Sequence, residues 1–407
     1  MMFPSLFLNE CRQTLKCKTY YIIIICMLIF FISQLSAFDM INKPEPNQES
    51  YGFTFSSDER LIMETALQVL IGEYNANRYV TYPIGFYKEV TLSEKKQAKM
   101  LEIIREISGL DEDELKAAYE SNGINPGVSA EQAKLSIAED ISYERFMELM
   151  KQADKLLGGG SMYRKSYIKY IARVPASFNE ALQAYNDIIY KERLTGAYAR
   201  LFCDYLGIVL AILPVFLAVT RALRDKRGGA NQVIFSKKAG SASIILSRYL
   251  STVLMIMLPV LAIAGYLSVQ FLYYGANEGI DVDVFAFFKY SLFWLLPAVM
   301  ISSSVGIFLT ELTQTAIAIV AMGIWWFVSM SVADLGGGYG WNLIPRHNTI
   351  GNYQVFIDNF KILVLNRIGY SLLAILLAAA AVLVYDLKRR GKLAIYGKRA
   401  SNIKGKP

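Results

Sequence analysis

The chain has 407 residues, of which 54% are hydrophobic, 13% aromatic and 19% charged, with a mean hydropathy of +0.31. Soluble domains carry about 25% charged residues, so this balance excludes an ordinary soluble fold and points to several membrane spans with one polar domain. The net charge of +7 fits basic loops facing an anionic leaflet better than it fits nucleic acid.

Residues 1–19, with FPSLFLNECRQTLKCK, mix Phe and Leu with basic groups. They read either as an amphipathic helix lying flat at the cytoplasmic interface or as a short flexible tail. The first span is expected at 20–38, YYIIIICMLIFFISQLSAF. Its apolar run exceeds the roughly 7–15 residues of a signal-peptide core, which favours an uncleaved anchor. Residues 39–200 form one long polar segment. SDERLIMETALQVLIGEY, TLSEKKQAKMLEIIREISGL, DEDELKAAYESNG and SAEQAKLSIAEDISYERFMELMKQADKLLGGG repeat apolar residues at helical spacing, with capping residues ahead of them. Gly158–Gly160 should stop the last of these helices. The segment has few alternating apolar runs, so it is expected to be mainly helical. It holds none of the four cysteines Cys11, Cys17, Cys26 and Cys203, so it must be stable without disulfides.

A bilayer core needs roughly 20 apolar residues in helix. Five more stretches qualify within 201–385: 201–220, 249–273, 284–309, 316–333 and 362–385. Pro214, Pro259 and Pro297 fall inside spans and should bend them, either around a gate or for packing alone. A basic tail, 386–407, follows. Lys and Arg cluster before the first span, in 221–248 and in the tail, whereas the stretches YYGANEGIDVD and LGGGYGWNLIPRHN carry Arg346 alone. The positive-inside rule then sets both termini and the 221–248 loop in the cytoplasm, and residues 39–200 outside. The expected fold is an all-α membrane protein with six transmembrane helices and a large, mainly helical extracellular domain between the first and second.

Several chemistries are missing. No GxxxxGK[ST] phosphate cradle, HExxH pair or GxSxG elbow occurs. The lone histidine, His347, has no Cys/His cluster around it to hold zinc. Asp204, Lys289, Glu311 and Arg367 lie near span ends rather than at a midplane, which disfavours an ion-coupled carrier.

The 221–248 loop is richer than a connector needs. It is basic at both ends and carries the apolar patch Val233, Ile234 and Phe235 between them, flanked by Arg227, Lys237 and Lys238. Such a segment can anchor as a helix in a partner's groove or lie on the membrane surface.

The span order, together with DKRGGANQVIFSKKAGSASIILSRYLS and the ending YDLKRRGKLA, resembles the permease subunit of the type 2 ABC exporter family. Asp225, Gly228, Val233–Phe235, Ser236–Lys238 and Arg248 match that family's loop in order. The family often has Glu at the first place and Pro after the apolar run, and this chain has neither. The resemblance covers roughly 201–392 and leaves the outer domain unplaced. It implies a coupling helix contacting a separate ATP-binding subunit through Asp225, Arg227, Gly228, Val233, Ile234, Phe235, Lys237 and Lys238. It implies a second permease chain, identical or different, membrane lipid around both, and ATP and Mg on the partner subunit, with no cofactor and no enzyme site on this chain. It further implies a multi-pass protein of a bacterial plasma membrane. A receptor with a ligand-binding outer domain and a secondary transporter are the alternatives; the substrate stays open.

Overall fold

The structure is a computed structural model that describes residues 2–35, 41–83, 87–111, 113–115, 137–331 and 340–393. The chain divides into two compact units, 42–183 and a bundle made of 1–41 with 184–407.

The 42–183 unit is built on three amphipathic helices, Glu59–Ala76, Glu94–Ser108 and Tyr143–Leu157. Each begins where a short polar residue interrupts extended backbone. Asp58 accepts from the amides of Arg60 and Leu61, and Ser142 accepts from that of Arg145. Each ends on a left-handed residue, at Asn77, Gly109 and Gly158. The apolar faces close on one another through Leu67, Leu70, Met100, Ile104, Phe146 and Met150, all fully buried. Truncating Phe146 to alanine would cost about 3–5 kcal/mol. Among its described residues are two antiparallel ribbons, pairing Phe53–Phe55 with Arg173–Pro175 and Tyr79–Thr81 with Lys88–Val90. The sequence pattern shows neither, because three-residue strands are too short to display an alternation. Most of DEDELKAAYESNG, and the start of the helix expected before Tyr143, lie outside the described residues.

The bundle is apolar and helical. Among the described residues, four helices are long and apolar enough to cross a membrane: Thr195–Arg227, Ser241–Glu278, Ala286–Thr313 and Tyr353–Arg389. A fifth is added if the pair Phe3–Leu15 and Lys18–Gln34, bent by 67°, counts as one. The spans expected at 201–220, 249–273, 284–309 and 362–385 fall in the four long helices, and that at 20–38 in the bent pair. The span expected at 316–333 falls on Ile317–Ser331, an apolar helix of 15 residues. At 1.5 Å per residue it reaches about 22 Å, short of a hydrocarbon core of about 30 Å.

The prolines sit at different kinds of place. Pro214 opens the first turn of Leu213–Arg227, just after a break in the Thr195–Arg227 rod, and Pro297 opens Leu296–Thr313 after a π-helical turn at Ser291–Leu295. Both positions suit proline, whose missing N–H falls where no helical partner is needed. Pro259 lies inside Ser241–Glu278, which continues through it.

Leu296–Thr313 buries Ser302, Ser303, Ser304 and Gly306. A Cβ added at Gly306 would come within 2.6 Å of the Ala218 Cβ, so the hydrogen at this position is what lets the two helices approach. Gly306→Ala should therefore cost about 1–3 kcal/mol by overpacking. Thermal unfolding of the detergent-purified chain should show the loss, and adding Ala218→Gly should return part of it; an unchanged midpoint would mean that the helices separate freely.

Candidate functional site

The residues singled out by the sequence lie at one end of the bundle, where the Leu213–Arg227 helix stops. Its last turns carry Arg221, Arg224 and Asp225, and two of these are almost fully buried. Burial of a charge is tolerable when it is paired, and the partners come from two other helices, one of which leads on to two more. Glu10, on Met2–Leu15, accepts from Arg221 and, at 3.2 Å, from Arg224. Asp225 accepts from Arg224 at 3.0 Å and from Arg248, on Ser241–Glu278, at 2.7 Å. Arg248 also lies 3.5 Å from Glu311, on Leu296–Thr313, and Glu311 lies 3.7 Å from Lys388, on Tyr353–Arg389. An ionic chain thus links the N-terminal helix to the same end of four others. Its four cations, Arg221, Arg224, Arg248 and Lys388, exceed its three anions, Glu10, Asp225 and Glu311, by one.

The loop beyond is strapped to the same frame. Gly228 and Gly229 end the helix, Gly229 at φ 64°. A short helix, Asn231–Phe235, follows. The guanidinium of Arg389 donates to the carbonyls of Phe235 at 2.9 Å, Ala239 at 2.6 Å and Lys237. It thereby occupies carbonyls that a helix end leaves without internal partners. The Phe235 ring meets that of Tyr385 edge-on, with centroids 5.5 Å apart. Ser241 Oγ donates to Asp386 at 2.9 Å where the next helix begins.

The candidates therefore separate into three groups. Asp225 is buried inside the charge chain. Ile234 and Phe235 are half-buried against this chain's own core rather than free as anchors. Arg227, Gly228, Val233, Lys237 and Lys238 are exposed, Val233 at 60%. Sequence reasoning missed Glu10, Tyr385 and Arg389 and placed Glu311 only near a span end; the available signal was a charged group at each helix end beside an apolar run.

The opposite end of the bundle holds a second set of buried polar groups, organised around the 340–352 loop. Asp204 accepts from the amides of His347 and Asn348 at 3.0 and 2.8 Å. Arg367, fully buried, donates to the carbonyls of Trp294 and Leu343, each at 3.1 Å. Arg200 donates to Glu192 at 3.1 Å and to the Ile350 carbonyl at 2.8 Å, 4.9 Å from the centroid of the Phe356 ring. Burial and the Arg200 charge push His347 down to about 4, so the imidazole is neutral near pH 7. These groups hold backbone in place, as expected of ionisable residues in an apolar bundle. Among the described residues no group of three or more His, Cys, Asp or Glu is placed to hold a metal ion.

Replacing Arg248 with Met leaves Asp225 and Glu311 facing each other without their shared cation. The expected loss is about 3–5 kcal/mol, measured as a fall in unfolding midpoint in detergent. The double variant Arg248→Met with Asp225→Asn should recover part of it, and additive losses would show that the two residues are not coupled. Comparison with family models, with curated proteins and with solved structures finds no match for this chain.

Proposed function

We propose that the chain is the membrane-spanning permease subunit of an ATP-driven exporter, resembling the type 2 ABC class, with a separate ATP-binding subunit docking on the 221–248 loop. The observation that carries this reading is the mechanical continuity of the loop. It is gripped by Arg389 at its carbonyls and joined through Asp225 and Arg248 to the charge chain. A push on its outer rim therefore reaches the helices of Glu10, Arg221, Glu311 and Lys388 together. A loop that merely joined two spans would need none of these bonds.

In this reading Met2–Leu15 lies along the cytoplasmic face, the bundle supplies six spans including Ile317–Ser331, and 39–200 faces outward. Both termini are cytoplasmic and the membrane is the plasma membrane. Two permease chains and two ATPase chains make the working unit, with ATP and Mg bound by the partner alone. The docking surface is the exposed set Arg227, Val233, Lys237 and Lys238, which presents three positive charges around one apolar side chain. It suits an acidic groove with an apolar floor.

The test is copurification from native membranes in gentle detergent. The expected result is a stoichiometric soluble subunit with a phosphate-binding loop and vanadate-sensitive ATPase activity. Val233→Asp combined with Lys237→Glu should abolish that association while the chain still inserts and unfolds at the wild-type temperature, because both side chains are exposed. Undiminished assembly of that variant would overturn the docking assignment, and a wild-type chain that purifies without any ATPase would overturn the exporter reading.

A further inference from the structure

The N-terminal helix Met2–Leu15 has three unlike edges. Residues three or four apart share an edge of a helix. Phe7, Glu10 and Thr14 share the first, which turns inward, with Glu10 and Thr14 buried and Phe7 half-buried. Pro4, Leu8, Cys11 and Leu15 make the second. It is apolar and largely open, Leu8 at 56% and Leu15 at 49% exposure. Ser5, Asn9 and Arg12 make the third, which Lys16 continues in the turn that follows, and all four are exposed. A surface helix of a globular protein has one apolar stripe and covers it against the core. This helix leaves a second apolar stripe uncovered, beside a cationic one.

The charge on the segment is one-sided. Residues 1–38 hold a single acid, Glu10, and three bases, Arg12, Lys16 and Lys18. Glu10 is already committed to Arg221 and Arg224. Arg12, Lys16 and Lys18 are exposed and make no ion pair among the described residues. Lys18 opens the apolar helix Lys18–Leu35, whose outer side shows Ile22, Ile25, Ile29 and Ile32 at 54–62% exposure. The two helices meet at a bend of 67°. When the second stands across a bilayer, the first is laid over toward the membrane plane, with its open apolar edge and three unpaired cations at the entrance of the span. A segment of that make-up seats itself at the boundary between acyl chains and headgroups, and cations held there attract negative headgroups.

We propose that the open side of Met2–Leu15, together with Lys16 and Lys18, is a binding surface for anionic lipid. Arg12, Lys16 and Lys18 hold the headgroup phosphate, and Leu8 and Leu15 sit among the first carbons of the acyl chains. The site deepens the placing of this helix along the cytoplasmic face and rests on that placing, not on an ATPase. Its consequence lies on the opposite edge, where Glu10 accepts from Arg221 and Arg224. Lipid and charge chain clamp one helix from two sides, so the surface charge of the membrane contributes to how firmly the charge chain is held.

The probe is phosphatidylglycerol, compared with phosphatidylcholine of the same acyl chains, both offered to the full chain in detergent micelles. Native mass spectrometry counts the lipid retained, and the thermal midpoint is followed in parallel. Phosphatidylglycerol should be retained in preference and should raise the midpoint, and both effects should shrink between 50 and 500 mM salt, as screening requires. Arg12→Gln combined with Lys16→Gln should lower the apparent affinity for phosphatidylglycerol about thirtyfold. That variant should keep the wild-type midpoint in phosphatidylcholine, because neither side chain is buried or paired. Lys95→Gln with Lys99→Gln removes two exposed cations of the 42–183 unit and should leave retention unchanged. Leu8→Ser should weaken retention while the preference for the anionic headgroup is kept. Equal retention of the two lipids, undiminished affinity in the Arg12 and Lys16 variant, an equal loss in the Lys95 and Lys99 variant, or displacement by an equimolar amount of free glycerol phosphate would each overturn the proposal. A variant at Arg12 and Lys16 that keeps its lipid but loses a copurifying subunit would give this edge to a protein partner instead. None of the lipid readouts involves an ATPase, so their failure leaves the permease reading standing, and a failure of copurification leaves the lipid surface standing.

Discussion

A charge taken into an apolar bundle must bring its counter-charge with it, and the arrangement of the bundle follows from that constraint. The cost of an unpaired buried ion is several kcal/mol even after relaxation. Arg221, Arg248 and Lys388 are each nearly inaccessible to solvent, and they sit on three different helices. Their carboxylates must therefore come from helices other than their own, which fixes how the ends of those helices lie beside one another. Apolar packing alone leaves helices free to slide and rotate, because one greasy surface is much like another. The ionic chain from Glu10 to Lys388 removes that freedom at one end, and the contacts of Asp204, Arg200 and Arg367 with the 340–352 loop remove it at the other.

Between these two polar ends the packing is tight and small-residue driven. Gly306 against Ala218 brings two backbones close, and the buried serines of Leu296–Thr313 follow the same logic of small side chains at helix contacts. The result is a bundle whose middle is close-packed and whose ends are electrostatically keyed. Within the long helices, bending is easiest at the break before Pro214 and the π-turn before Pro297, where the regular hydrogen-bond ladder is interrupted.

The coarse architecture was legible in the sequence because it depends on local composition. Long apolar runs give the helices of the bundle, and Asp58, Ser142, Gly109 and Gly158 mark helix ends where capping chemistry requires them. The ribbons were hidden because three residues cannot show a period of two. The ionic chain was hidden because its partners are distant in sequence. Glu10 and Arg221 are 211 positions apart, and no spacing rule links them. The exposure of the loop was half legible. Val233 is open as its apolar character in a basic loop suggested, but Ile234 and Phe235 face inward, because Tyr385 and Arg389 arrive from a helix more than a hundred residues later.

The grip of Arg389 on the loop has a further consequence. Its guanidinium bonds three main-chain oxygens, at Phe235, Lys237 and Ala239, and a main-chain oxygen is the same whatever side chain it carries. The joint is therefore blind to residue identity at 237, whose side chain is exposed, and at neighbouring exposed positions such as 233. Those positions can change to suit a different contact surface while the hinge beneath them keeps its geometry. In the permease proposed above, recognition falls to the side chains of this short segment and transmission to its backbone, so that either can be altered without rebuilding the other.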